Sequence, residues 1–350
     1  MIDEPEDNDY SLHGIEPIPI FNILDISSIT NKPSEEFGDF MELLTKWNLS
    51  DACASDILKY SRKICRDDVT LPTSVKQGRQ LLDRINVSHL SFKKAPIMTY
   101  KEETYYLHYR PIFDAIKELL SNKEILDNCI FEFKPLYHEG QRIYHEQYNG
   151  EWWERVQNSL PRWAKVLSII LYSDATTCDH LGKTSEHPIY LTLGNIPSWR
   201  RNKPDAKVLL GYLPQLKAKT ISQKRSKSFR MVKRILYQYS LDILVRSLLD
   251  YQNDGFDLKT DNDVLWCYPF ISVMLGDLPE NAAITLTFNS ANCRHPCHEC
   301  LVEGDELNNV ELSDDQIILR TPGTMKAFVE QGVAQQYSLH DMENVFWQYP

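Results

Sequence analysis

Residues 166–216 read VLSIILYSDATTCDHLGKTSEHPIYLTLGNIPSWRRNKPDAKVLLGYLPQL. Three apolar runs of strand length, Val166 to Tyr172, Ile189 to Ile196 and Val208 to Leu213, are separated by polar segments that carry Gly and Pro. The first run leads straight into a carboxylate, Asp174, and the third is flanked by Lys and Arg. An acid at the end of a buried strand, beside cationic surface, suits metal-assisted chemistry on a polyanion.

Working outward, a helical pattern covers Phe229 to Tyr251, with Met231, Ile235, Tyr239, Leu241, Leu244 and Leu248 among its apolar positions. Another apolar run, Val264 to Leu275, ends in Gly276-Asp277. The order is strand, strand, strand, helix, strand, with acids closing the first and last strands. That order predicts a mixed α/β fold with a ribonuclease H-like core over 165–350. Upstream, Ser34 is placed to cap a helix carrying Glu35, Glu36, Phe37, Phe40, Met41, Leu44 and Trp47. Helical patterns also cover Asp56 to Ile64, Ser74 to Ile85 and Pro111 to Leu120, so 34–164 is expected to be an α-rich accessory domain. Residues 1–33, acidic and then rich in Pro, Asn and Ser, are expected to form a loosely held tail.

The totals narrow the class. With 350 residues and 42% hydrophobic content the chain can bury a full core. Its apolar runs fall far short of the roughly 20 residues a membrane-spanning helix needs, and no membrane association is expected. The start, MIDEPEDND, lacks the charge and apolar segment of a secretory signal. Eight cysteines, three of them within 293–300, point to reduced thiols in the nucleus or cytoplasm. The net charge of -11 hides a basic stripe: from Arg200 to Arg234, twelve Lys and Arg face only one acid, Asp205. A stripe of this kind suits nucleic-acid phosphates or nuclear import, and equally a solvated helix start.

Two carboxylates at neighbouring strand ends, Asp174 and Asp277, could share Mg²⁺ or Mn²⁺, although spacing alone also allows each to start a turn. Cys293, Cys297 and Cys300, with His295 and His298 between them, offer soft ligands for Zn²⁺. A second CxxC is missing, and unliganded thiols in a polar loop fit as well. Gly182-Lys183-Thr184 lacks the upstream glycine of a phosphate loop, and His145-Glu146 lacks the second His of a zinc protease. Trp152, Trp153 and Trp163 could stack on bases, but packing is the usual role of Trp.

Several blocks together carry a resemblance. They are Ser173-Asp174-Ala175-Thr176, Pro188 to Ile196, Arg200 to Pro204, Gly211-Tyr212-Leu213-Pro214, Gly276-Asp277-Leu278-Pro279-Glu280, Pro296-Cys297-His298-Glu299-Cys300-Leu301, Arg320-Thr321-Pro322 and Tyr337-Ser338-Leu339-His340. With Gly150-Glu151-Trp152-Trp153 upstream, the sequence resembles the Plavaka transposases, a branch of the CACTA-like DNA transposons. The resemblance implies a ribonuclease H-like core that cuts and rejoins transposon ends with three acids and divalent metal. Asp174 matches the first acid and Asp277 the second. The third is expected on a helix beyond the Asn344-Val345-Phe346-Trp347 block, past Pro350. Glu280 belongs to the second-acid motif, and Glu330 and Glu343 match nothing. The expectation is therefore a truncated derivative with impaired strand transfer. Arg200, Arg201, Lys203, Lys224, Arg225, Lys227, Arg230, Lys233 and Arg234 are expected to grip DNA phosphates, in a nuclear protein that is compatible with a homodimer. The alternative is a non-catalytic nucleic-acid or protein interaction module of transposon origin.

Overall fold

A computed structural model describes residues 34–47, 49–66, 69, 71–83, 92–178, 185–260, 263–288 and 292–349. The tail expected over 1–33 lies outside them. The chain opens with three helices, α1 (Glu35–Lys46), α2 (Asp51–Ile64) and α3 (Val75–Asp83). Ser34 Oγ accepts the Phe37 amide at 3.3 Å, and Phe37, Phe40, Met41 and Leu44 are buried in a cluster with Ala54, Leu58 and Val75. The spacing of apolar residues on α1 thus becomes a small helical core of its own.

Two strands follow, β1 (Lys93–Tyr100) and β2 (Glu103–Tyr109), then α4 (Ile112–Ser121) and α5 (Lys123–Asn128). A short hairpin, β3 (Leu136–His138) and β4 (Gln141–Ile143), leads to α6 (Glu151–Ser159) and the central strand β5 (Lys165–Ser173). A second small hairpin, β6 (Thr176–Thr177) and β7 (Ser185–Glu186), precedes β8 (Pro188–Leu193), α7 (Ser198–Arg201) and β9 (Val208–Tyr212). Next come α8 (Ile221–Arg225), the long α9 (Lys227–Val245), β10 (Phe256–Lys259), β11 (Val264–Leu275), α10 (Leu278–Thr285) and α11 (Pro322–Glu330).

The fold is mixed α/β. Seven strands form one sheet in the order β1-β2-β9-β8-β5-β11-β10. Every neighbouring pair is antiparallel except β5 and β11, which run parallel. Burial along β5 is almost continuous from Val166 to Leu171, as for a strand covered on both faces. The main core joins β5, β8 and β9 to α4 and the C-terminal half of α9.

The stretch expected to be α-rich up to residue 164 therefore also supplies two strands of the main sheet, besides the β3–β4 hairpin. Strand β1 (KKAPIMTY) carries a proline and two lysines, and β2 (ETYYLHY) buries only Leu107 fully, so neither gives a strong apolar run. The pairing of β2 with β9 through His108 and Tyr109 is a tertiary contact that local periodicity does not encode. The helix read over Phe229 to Tyr251 is α9 followed by a 3₁₀ turn at Arg246–Tyr251. Among the described residues no helix is long and apolar enough to cross a membrane.

Candidate active site and nucleic-acid interface

The acid pair is positioned by strand pairing. Cys267 to Ile271 of β11 lie against Lys165 to Ile169 of β5; an irregularity at Ser272 then shifts the register by one, so that Leu275 faces Tyr172. Continued for two residues, this register sets Asp277 against Asp174. A one-residue slip in a sheet turns side chains to the opposite face, so the shift at Ser272 matters for bringing the acids together. Both aspartates are exposed. The Tyr172 hydroxyl donates to Asp174 Oδ2 at 3.2 Å. Burial, then the Asp174 hydrogen bond and the charges of Asp174 and Asp277, hold the Tyr172 phenol above its ordinary pKa.

Asp277 also caps α10: its Oδ1 accepts the Glu280 amide at 2.8 Å. The chain folds back tightly here. A Cβ on Gly276 would sit 2.7 Å from Glu280 Cγ, so a side chain at 276 would displace the first turn of α10.

Beneath the acids lies a buried polar clasp. Glu280 Oε1 accepts from the Ser173 hydroxyl at 2.8 Å and from the Tyr237 hydroxyl at 2.5 Å, and lies 2.9 Å from His187 Nε2. His187 Nε2 is also 3.1 Å from Ser173 Oγ. Ser173 immediately precedes Asp174, and Glu280 follows Asp277 by three residues, so one carboxylate ties together the two segments that carry the acids. Burial works against the Glu280 charge, but hydrogen bonds from His187, Tyr237 and Ser173 outweigh it and lower the pKa. Burial, followed by the Glu280 charge, raises the Tyr237 phenol well above its ordinary value. His187 and Tyr237 had no motif to mark them, since their shared partner is distant in sequence. Glu280 stands in the same block as Asp277 but is engaged inward, away from the exposed acids.

Divalent Mg²⁺ is commonly held by one or two carboxylates, with water and substrate phosphate completing the shell. Asp174 keeps Oδ1, and Asp277 keeps Oδ2, without a hydrogen-bond partner among the described residues. The donor chemistry fits such an ion. No group of three His, Cys, Asp or Glu able to hold a metal is gathered among the described residues, so no third carboxylate joins this pair.

The basic segment divides into two groups. Arg200 is fully buried, with Nη1 and Nη2 on Asp205 at 2.9 and 2.6 Å and Nε 3.2 Å from Glu124. Arg201 donates to the Ile196 carbonyl at 2.8 Å and faces Glu146 at 3.5 Å, while Lys203 pairs with Glu124 at 3.3 Å. Arg200 and Arg201, expected to grip phosphate, are thus engaged by groups within the fold. Besides the local Asp205, their charges are met by acids from distant segments, Glu124 and Glu146, which the local count of one acid left out. By contrast, Lys224, Arg225, Lys227, Arg230 and Lys233 are exposed, Arg234 is half-buried, and none of the six forms an ion pair among the described residues. They run from α8 along the first half of α9.

The Cys/His loop is organised by Arg320. Its Nε donates to the carbonyls of Cys297 and Cys300 at 3.0 and 3.2 Å, and its Nη2 to that of His295 at 3.1 Å. Cys297 and Cys300 lie close together: burial first, and the neighbouring Cys297 thiol as well, raise the Cys300 pKa. Cys293 Sγ turns toward the Phe288 carbonyl at 3.9 Å, His295 is buried with Nδ1 on the Leu301 carbonyl at 2.8 Å, and His298 lies beside Glu299. A tetrahedral zinc set is thus not assembled here among the described residues. Of the tryptophans, Trp153 is fully buried and Trp163 is 73% exposed, with the Arg162 guanidinium over its ring.

The Plavaka transposase family model matches residues 73–349. No curated protein matches the chain.

Proposed function

The chain belongs to the Plavaka transposase family, and from that premise we propose that it is a transposase-derived DNA-binding protein whose acid pair performs metal-dependent phosphodiester chemistry. The observation that carries this reading is the parallel pairing of β5 with β11, which sets Asp174 and Asp277 at the same end of adjacent strands. The order of the central strands supports a ribonuclease H-like core. The third strand of the sequence signature (β9) lies beside the second (β8), the second beside the first (β5), and the first beside the parallel fourth (β11).

In this reading Asp174 and Asp277 hold Mg²⁺ or Mn²⁺, which when bound polarises a phosphoryl oxygen and activates the attacking water or 3′-hydroxyl. The protein supplies the rest. The clasp of Ser173, His187, Tyr237 and Glu280 is a positioning device that fixes both acid-bearing turns. The cations from Lys224 to Arg234 hold DNA phosphates, and Tyr237 links α9, which carries most of them, to the clasp. A second reading rests on the absence of a third carboxylate beside the pair among the described residues. It is a DNA-binding module that does not carry out strand transfer.

Nicking of supercoiled DNA in Mn²⁺ separates the two. Nicking by the wild type that is lost in both Asp174→Asn and Asp277→Asn supports the enzyme. Salt-sensitive DNA binding without nicking supports the module, and nicking that survives both substitutions rejects the metal assignment.

A further inference from the structure

A pocket of about 540 Å³ opens between α9 and α10. One wall carries Arg230, Lys233 and Arg234, one helical turn of cationic side chains, and no carboxylate among the described residues lines the cavity. Like charges crowded into a partly desolvated site destabilise it unless an anion joins them. The crowding shifts the pKa values of the groups. Burial, then the charge of Arg230, lowers the Arg234 pKa, and burial followed by Arg234 and Arg230 brings His340 down to about 4. His340 is therefore neutral near pH 7 and offers a ring with one N–H donor and one acceptor.

The rest of the lining differs. Ala283 and Leu286 are apolar, and the Phe288 ring lies 4.7 Å from the His340 ring. A duplex backbone crossing α9 would use the cations and leave this apolar, aromatic interior without a role. A nucleotide lifted out of its stack uses both: guanidinium groups match phosphate geometry, and an aromatic ring accepts a base face. The cavity falls within the usual range for small-ligand sites.

Resting on the reading of DNA as the partner, we propose that this pocket receives a single unstacked nucleotide of a DNA strand, its phosphate on Arg230 and Arg234 and its base beside Phe288. Pro279, which also lines the cavity, stands two residues after Asp277. The seated nucleotide and Asp277 thus share the first turn of α10.

The test is fluorescence anisotropy in EDTA with a labelled oligothymidine strand, alone and paired with oligodeoxyadenosine. Arg234→Gln is expected to weaken single-strand binding about tenfold or more, the effect of losing one phosphate-fork contact. Phe288→Ala should weaken the single strand while sparing the duplex. Lys224→Gln with Arg225→Gln, outside the pocket, should weaken both forms alike. If Arg234→Gln and Phe288→Ala leave single-strand affinity unchanged, the proposal is overturned.

A readout on the unaltered protein covers the case in which a variant misfolds. Acylation of Lys233, followed by mass spectrometry, should slow in the presence of oligothymidine and not of inorganic phosphate. Equal labelling with and without the strand rejects the pocket. Protection by thymidine 5′-monophosphate as strong as by the strand would make the ligand a free nucleotide, and would also reject it. Because binding is read without metal, a failure of nicking leaves this result intact, and a failure here leaves the nicking assay to stand or fall by itself.

Discussion

At Asp277 a single carboxylate caps α10 through Oδ1 and leaves Oδ2 without a hydrogen-bond partner among the described residues. The roles separate by substitution. Asn caps as well as Asp, so Asp277→Asn should abolish Mn²⁺-dependent nicking with little change in urea unfolding. Asp277→Ala should abolish nicking and in addition cost about 1 kcal/mol. Glu280 differs because three donors converge on one oxygen. Glu280→Gln replaces a charged acceptor by an amide and should destabilise the fold by about 1–3 kcal/mol in the same assay. The direction with pH follows from its lowered pKa. The charge stabilises the native state above the ordinary carboxylate value, and that contribution is lost as pH falls through the lower native value. Arg200 and the pair Lys224 and Arg225 should behave in opposite ways. Arg200→Ala strands Asp205 and Glu124 and should lower the thermal midpoint while the folded fraction still binds DNA normally. Lys224→Gln with Arg225→Gln should keep the midpoint and weaken DNA binding in filter assays. Sequence spacing located both aspartates correctly at strand ends. It could not sort the arginines, because besides the local Asp205 the acids that engage Arg200 and Arg201 come from α5 and from Glu146.

At the scale of elements, the Ser272 irregularity and the buried Gln238 do the aligning. Ser272 Oγ donates to the Ile169 carbonyl at 3.1 Å and accepts from Ser168 Oγ at 2.8 Å, which holds the register change between β11 and β5 in place. Gln238 of α9 donates to the Ile284 carbonyl at 3.2 Å and accepts the Val345 amide at 3.0 Å. Asn344 reaches the same Ile284 carbonyl at 2.6 Å. One amide thus joins α9, the end of α10 and the C-terminal segment. Gln238→Leu keeps the volume but leaves buried polar groups unmatched, at a cost of about 1–3 kcal/mol. Hydrogen exchange should show the Val345 amide exchanging faster, with the amides of β5 little changed.

For the molecule as a whole, the C-terminal segment leans on α9 through His340, beside Arg230 and Arg234. The ordinary His value is 6.5 and the native one about 4. Between these values the unfolded chain binds a proton that the native state does not, so stability falls as pH drops through the window and levels off above it. His340→Gln should flatten the dependence of urea stability on pH between 6.5 and 4, read against the wild type. An unchanged slope would mean that His340 is as protonated in the fold as out of it. The α1–α3 cluster shares no residue with the main core, so changes there should leave these properties of the sheet in place.

Sequence alone determined the strands β5, β8, β9 and β11, the helices α1, α4 and α9, and the acids that close β5 and β11, because apolar periodicity and turn residues are local signals. The same was true of the family, which the ordered blocks of residues already indicated. The tertiary structure decided the pairing of β1 and β2 onto the sheet, the register that aligns Asp174 with Asp277, and the convergence of Ser173, His187, Tyr237 and Glu280. It also decided which arginines are buried against acids and which remain exposed. Each of these depends on groups far apart along the chain, whose mutual distance is set only when the core packs and excludes water.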